Sequence, residues 1–296
     1  MTQRKKRIPF TALDAVLLTT FLGGAVFFAW RVHAVLDYEW RWGVLVQYLL
    51  RYDEAAGRWV PGLMTQGLLT TIRLSLWTMI LATIFGTAMG MARSARWLLP
   101  RMVARSYVEL VRNTPPLVLI FLFYYFLSDM FMSALGVDAA IRALPAWAKE
   151  LLPWVAAPVG RLENFLSALL TMAVYEGAYI TEHVRAGIQS IERGQHEAAY
   201  ALGLTRWQQM RYVILPQALA RIVPPLAGQF ISTIKDTAIV SLISVQELTF
   251  QGLELMAATY MTFETMITVM ALYLLLTLSC STLARKLELR LRRAYS

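Results

Sequence analysis

Gly194-Gln195-His196-Glu197-Ala198-Ala199-Tyr200-Ala201-Leu202-Gly203-Leu204-Thr205-Arg206-Trp207-Gln208, running on to Val213-Ile214-Leu215-Pro216, is the stretch that decides how this chain is read. Residues 195–202 are mostly good helix formers. Gly203 suits the left-handed position that ends a helix, and Leu204 supplies the apolar residue that follows such an end. Thr205 can cap a second helix, with Gln208 three residues on to complete a T-x-x-Q capping box. Pro216 is expected to stop or kink that second helix. The stretch reads as two short helices with a turn between them, too small to hold a core of its own. It must dock onto something else, and Ala198 and Ala199 keep one face small enough for close approach.

Working outward, the chain on either side is apolar. Of the 296 residues 57% are hydrophobic and 16% charged, with a mean hydropathy of +0.50. A soluble domain carries about 25% charged residues. The apolar residues gather into stretches long enough to cross a bilayer as a helix, which takes about 20 residues. Six spans are expected, at 12–32, 64–91, 107–128, 164–184, 219–245 and 262–284. The first is too long for a signal peptide and no small-residue cleavage pattern follows it, so it reads as a retained signal-anchor helix.

The formal net charge of +9 would suggest nucleic acid in a soluble protein. Here the cations sit in blocks beside the apolar segments, and no nucleic-acid module is present. Arg4, Lys5, Lys6 and Arg7 precede the first span. Arg93, Arg96, Arg101 and Arg105 lie between the second and third. Arg185, Arg193, Arg206, Arg211 and Arg221 surround the loop between the fourth and fifth, and Arg285, Lys286, Arg290, Arg292 and Arg293 follow the last. The opposite loops carry fewer cations, mixed with acids, and 246–261 has none. This bias places both termini and the 194–216 loop in the cytoplasm. Tyr38, Trp40, Trp42 and Tyr48 form an aromatic cluster suited to the outer interface. The segment 142–160, rich in Pro and Trp, reads as an interfacial hairpin.

Catalytic signatures are missing. There is no G-x-x-x-x-G-K-[ST] phosphate loop, no metal-ligand spacing, and His33, His183 and His196 are scattered. Cys280 is single and apolar in setting, so it forms no internal disulfide. The chain reads as a non-enzyme; any nucleotide chemistry that drives it belongs to another subunit.

Glu197-Ala198-Ala199, Gly203 and Leu215-Pro216 resemble the EAA loop of ABC importer permeases, although Val213 stands where that family prefers isoleucine. In that family the loop is the coupling helix seated in a cleft on the ATPase. Tyr107-Val108-Glu109-Leu110-Val111-Arg112-Asn113-Thr114-Pro115-Pro116-Leu117, Glu182-His183-Val184-Arg185-Ala186-Gly187-Ile188-Gln189 and Lys235-Asp236-Thr237 are similar to further signatures of the polar amino acid permeases. The resemblance covers roughly 60–290. The first span and the Trp40/Trp42 segment are similar to the longer glutamate/aspartate permeases.

The resemblance implies an all-α polytopic protein with six transmembrane helices: a five-helix type I core plus a peripheral N-terminal helix. Residues 1–62 form the tail, first helix and periplasmic aromatic segment, and 63–290 the permease domain with its coupling loop at 194–216. The implied partners are two copies of an ABC ATPase, a second permease chain (identical or not), a periplasmic amino-acid-binding protein and the lipid bilayer, but no nucleic acid. No cofactor is expected on this chain; ATP and Mg belong to the ATPase. The implied location is the bacterial inner membrane, and the implied cargo a polar amino acid, with glutamate or aspartate foremost and basic or other polar amino acids as the alternative. Two readings from other classes stand beside it: a membrane receptor or scaffold that docks a signalling partner on the knob, and an ATP-independent carrier.

Ionisable residues within spans mark the expected pathway. Lys235 and Asp236 lie roughly 20 Å into the fifth span, among Ser232, Thr233 and Thr237. Lys235 could hold a carboxylate, or could form a structural pair with Asp or Glu. Glu182 could balance that charge or face an amino group. Tyr175, Tyr179 and Glu182 fall on one face of the fourth span, and Glu176 is either pathway or interhelical partner. Arg112 and Asn113 could line an inner gate, or Arg112 could snorkel to headgroups. Pro115-Pro116, Pro224-Pro225 and Gly228 are expected to interrupt their spans, as in transporters whose free backbone meets substrate. Ala82, Gly86 and Gly90 form a small-residue stripe that reads as a packing seam.

Overall fold

The structure, a computed structural model, describes residues 11–35, 38–55 and 57–294. Arg4, Lys5, Lys6 and Arg7 lie outside the described residues, as do the side chains of His33, Arg292 and Arg293. The chain is mostly helical and divides into two units at Trp42/Gly43.

The first unit is helix α1 (Ala12–Val35) and the short segment after it. The helix is apolar on every side, with Leu17, Phe21 and Phe27 exposed, as expected of a helix that meets lipid or protein all round. Tyr38 meets Trp40 edge to face, with ring centroids 5.2 Å apart, and Trp40 stacks on Trp42 at 5.7 Å. Tyr48, read as a member of that cluster, packs instead in the second unit.

The second unit begins with α2 (Trp42–Leu49) and an antiparallel hairpin, β1 (Leu50–Asp53) and β2 (Arg58–Pro61). These pack with the helices that follow them. Leu45 is buried against Met64, Leu248 and Leu255, and the Gly62 amide and Thr65 hydroxyl both donate to the Leu49 carbonyl.

Among the described residues, four segments of this unit are long and apolar enough to cross a membrane: α3 (Leu63–Arg93), Pro116–Ala134, Arg206–Ile243 and Thr262–Lys286. The last is the apolar part of α14 (Thr262–Ala294). Helix α9 (Leu162–Gln189) is as long as a span but less apolar, because it carries the polar residues of the core. It is also the most buried helix. It runs along α3 in a close seam where Gly86 and Gly90 face Ile180 and Val184; an added Cβ at either glycine would lie 2.7 Å from those side chains. The small-residue stripe is a packing seam, as its spacing suggested.

Proline placed the breaks differently from expectation. The third span does not start at 107. Helix α4 (Leu98–Asn113) ends before Thr114 and Pro115, both extended, and the membrane-length segment starts at Pro116, where α5 (Pro116–Leu122) begins. A residue before proline is pushed out of the helical region, and Pro116 fits a first helical turn where its missing N–H costs nothing. That segment continues through a π turn (Phe123–Ser128) and α6 (Asp129–Ala134). The 142–160 region is no hairpin: α7 (Val137–Arg142) and α8 (Ala146–Val155) are short helices on the rim of α9.

In the fifth segment, α10 (Arg193–Ala201) and the one-turn α11 (Arg206–Gln208) lead through a π turn (Gln209–Ile214) into α12 (Leu215–Asp236). Pro216 does not stop the helix, because it sits in the first turn after the π turn. Pro224 and Pro225 do not break α12 either; within a bundle, neighbouring groups absorb the freed carbonyls. The helix tightens to 3₁₀ geometry over Thr237–Ile243 and ends at Ser244 in a left-handed conformation. The cation-free 246–261 stretch contains α13 (Leu248–Thr259), capped by the Glu247 carboxylate on the Phe250 amide at 2.8 Å.

Candidate transport site and coupling surface

Helix α9 presents a polar stripe toward α4 and α12. Its middle is Glu176, fully buried. A buried carboxyl needs hydrogen-bonding partners to offset lost hydration. The Gln229 side-chain amide donates to Glu176 Oε2 at 2.7 Å, and Gln229 Oε1 lies 3.1 Å from His183 Nε2. Thr233, one turn above Gln229, is buried beside them, and Asp236 faces the same carboxyl. Two carboxyls, an amide and an imidazole thus gather between α9 and α12.

Toward the other end of α9, Glu182 collects three arginines from three helices. Arg93 ends α3 and contacts Glu182 Oε1, Arg185 approaches Oε2 at 2.9 Å, and Arg112 from α4 lies 3.9 Å from Oε2. Arg112 also stands over the Tyr179 ring, 5.5 Å from its centroid, and the Tyr179 and Tyr175 hydroxyls are 3.2 Å apart. Glu182 therefore does not balance Lys235, as the sequence suggested it could. Its partners are the arginines at the ends of α3 and α4, because one helical turn and a half separates it from the level of Glu176 and Asp236.

Lys235 is exposed in this chain, and its ammonium lies beyond ion-pair distance of any carboxylate among the described residues. Asp236 beside it is half-buried, while Thr237 is fully buried and donates to the Ile234 carbonyl at 2.7 Å. Asn113 is exposed at the end of α4. The structure thus brings Tyr175, Tyr179, Glu182 and Arg112 together, sets Asp236 against Glu176, and leaves Lys235 and Asn113 facing outward. Gln229 and Arg93 were not foreseen as site residues. Gln229 lies seven residues before Asp236, two helical turns away on the same face, which is the signal that could have found it. Arg93 closes the second span, and its partner is distant in sequence.

At the 194–216 knob the local reading is met closely. Gly203 has φ +74°, and the Thr205–Gln208 capping box is formed. Ala199 is buried and Ala198 exposed, so the two alanines lie on different faces of the helix rather than on one. Glu197 is exposed, Leu215 half-buried and Pro216 exposed. Tyr200, Leu202 and Trp207 are 77%, 79% and 71% exposed, a density of large apolar groups that marks an interaction surface. Beside them a cavity of about 560 Å³ is lined by Arg96, Arg193, His196, Glu197 and Arg206 among others.

The description "Binding-protein-dependent transport system inner membrane component" matches residues 82–293. The glutamine transport system permease protein GlnP of Escherichia coli (strain K12) is 35% identical over 224 residues, 74% of this chain and 90% of that protein. The glutamate/aspartate import permease protein GltJ of the same strain is 30% identical over 242 residues, 81% and 90% of the two chains. A crystal structure of an amino acid ABC transporter with histidines superposes with a TM-score of 0.65 at 30% identity, covering 86% of this chain and all of that one. The inward-facing MetNI methionine ABC transporter, at 18% identity and a TM-score of 0.59, shares the fold. The chain therefore belongs to the family of inner-membrane components of binding-protein-dependent transport systems, as a permease of the polar amino acid ABC importers.

Proposed function

We propose that this permease moves glutamate or aspartate from periplasm to cytoplasm by alternating access, with Lys235 holding a carboxylate of the cargo. The observation that carries this is the exposed Lys235 ammonium, about 20 Å along α12 from Ile222, which packs against Gly187 near the cytoplasmic end of α9. A charge at membrane depth is costly without a partner, and this chain leaves the place beside it open for cargo. Asp236, Thr237, Tyr175 and Tyr179 complete the polar wall, and Arg112 with Asn113 forms the inner exit.

A second reading, glutamine, is favoured by the carboxyls of Glu176 and Asp236. They would repel a second negative charge but accept hydrogen bonds from a side-chain amide, and the relative GlnP is named for glutamine transport. A basic cargo stands as a third arm of the test.

The knob couples this pathway to ATP. Glu197, Ala198, Ala199 and Gly203 dock on an ATPase subunit, and Leu215-Pro216 passes its motion through the π turn into α12. Two ATPases carry the ATP and Mg, a second permease chain completes the channel, and a periplasmic binding protein delivers cargo. Both termini are cytoplasmic.

The test is uptake into vesicles with ATP inside and binding protein outside. Labelled glutamate, aspartate, glutamine, arginine and histidine are supplied in turn to the wild type, Lys235→Ala and Glu197→Ala. ATP-dependent uptake of an acidic amino acid, lost in both variants, supports the first reading. Uptake of glutamine alone replaces it with the second, and uptake without ATP rejects the importer mechanism.

A further inference from the structure

Helix α4 has three faces rather than two. Ala104, Val108 and Val111 are buried against α9 and α3. About a quarter turn round, at 100° per residue, Arg101, Arg105 and Arg112 form a basic stripe with Glu109. Beyond that stripe an apolar face lies open: Leu99, Met102, Val103 and Leu110 are 74%, 54%, 52% and 57% exposed. Trp97, just before the helix, is 81% exposed.

The helix is 16 residues long, about 24 Å, too short to cross the roughly 30 Å hydrocarbon core. Arg93, five residues before it, and Arg112, in its last turn, both reach Glu182. The chain therefore enters and leaves α4 on one side of the membrane. A helix with an open apolar face beside a basic stripe and a tryptophan at its start is built to lie in the interface of acyl chains and headgroups.

We infer that α4 is a binding site for anionic phospholipid, with acyl chains on Leu99, Met102 and Val103 and phosphate groups on Arg101 and Arg105. Arg101 has no carboxylate within ion-pair distance among the described residues, and Arg105 shares its charge with one exposed neighbour, Glu109, at 2.6 Å. Headgroup phosphates complement these cations. The apolar face alone would accept any lipid or a second permease; the adjoining arginines select the anionic lipid. Because the last turn of α4 holds Arg112 over Tyr179 and near Glu182, lipid at one end of the helix bears on the inner exit at the other.

The experiment places the full chain in nanodiscs of phosphatidylcholine mixed with phosphatidylglycerol, with bromine on one lipid or the other at equal content. The Trp97 signal is the difference in fluorescence between wild type and Trp97→Phe. Brominated phosphatidylglycerol is expected to quench it more than brominated phosphatidylcholine, and the preference falls about fivefold for each arginine removed in R101Q and R105Q. Arg58→Gln, on the hairpin, leaves the preference unchanged. Equal quenching by the two lipids, or a preference that survives R101Q/R105Q, overturns the inference. So does a Val103→Cys variant that cross-links two permease copies while Trp97 stays unquenched, since the face is then a subunit interface.

Discussion

Glu176 and Glu182 stand on one helix and are served in opposite ways. Glu176 is sealed from solvent and meets an amide, a threonine and a second carboxyl. Glu182 is half-buried, with its side chain 17% exposed, and meets three guanidinium groups. The first is held by a hydrogen bond from the Gln229 amide and the second by countercharge. A buried acid therefore does not announce its role by burial; the partners that other helices bring decide it.

Substitutions that separate shape from charge test this difference. The largest effect is expected from Glu182→Ala, which leaves Arg93 and Arg185 without their countercharge and should cost about 3 kcal/mol. It would appear as a clear drop in the melting temperature of the purified protein; wild-type melting would show that the arginines reach water unaided. Replacing two of the partners, Arg93→Gln with Glu182→Gln, should recover part of that loss, since one guanidinium fewer is stranded while Arg185 and Arg112 still lack the carboxylate. Additive losses in the double variant would reject the pairing.

Glu176→Leu ranks next, at about 1–3 kcal/mol, because the Gln229 amide loses its acceptor in a buried site. The same melting measurement reads it, and Gln229→Leu added to Glu176→Leu should cost little more. Smallest of all is Glu176→Gln, expected within about 1 kcal/mol of wild type, while Glu182→Gln falls well below it. Equal effects of the two glutamines would erase the distinction between the sites.

The knob was legible in advance because each of its signals is local. Gly203, Thr205 and Gln208 act on neighbours within a few residues, and the structure has them in the predicted geometry. Four of the six expected spans meet the length and hydropathy of a membrane crossing among the described residues, and proline was misjudged as a break. Pro224, Pro225 and Pro216 lie within or at the start of one continuous helix, whereas Pro115-Pro116 divides α4 from the membrane segment. Whether a proline breaks a helix depends on what accepts the freed carbonyls, and that is a property of the neighbours. The partners of Glu182 were misjudged for the same reason: Arg93 lies 89 residues away in sequence, and pairing at that distance leaves no periodic trace.

The sequence by itself determined that this is a helical membrane protein with a helix–turn–helix knob on its basic side. Those properties follow from summed hydropathy, charge bias and short-range capping, which need no knowledge of what lies across the bundle. Only the tertiary structure decided that Glu176 meets Gln229, that Glu182 binds the ends of α3 and α4, and that α4 keeps an apolar face open beside its arginines. Those are contacts between helices, and the helices choose partners by the shape of their seams, such as Gly86 and Gly90 against Ile180 and Val184, rather than by any signal along the chain.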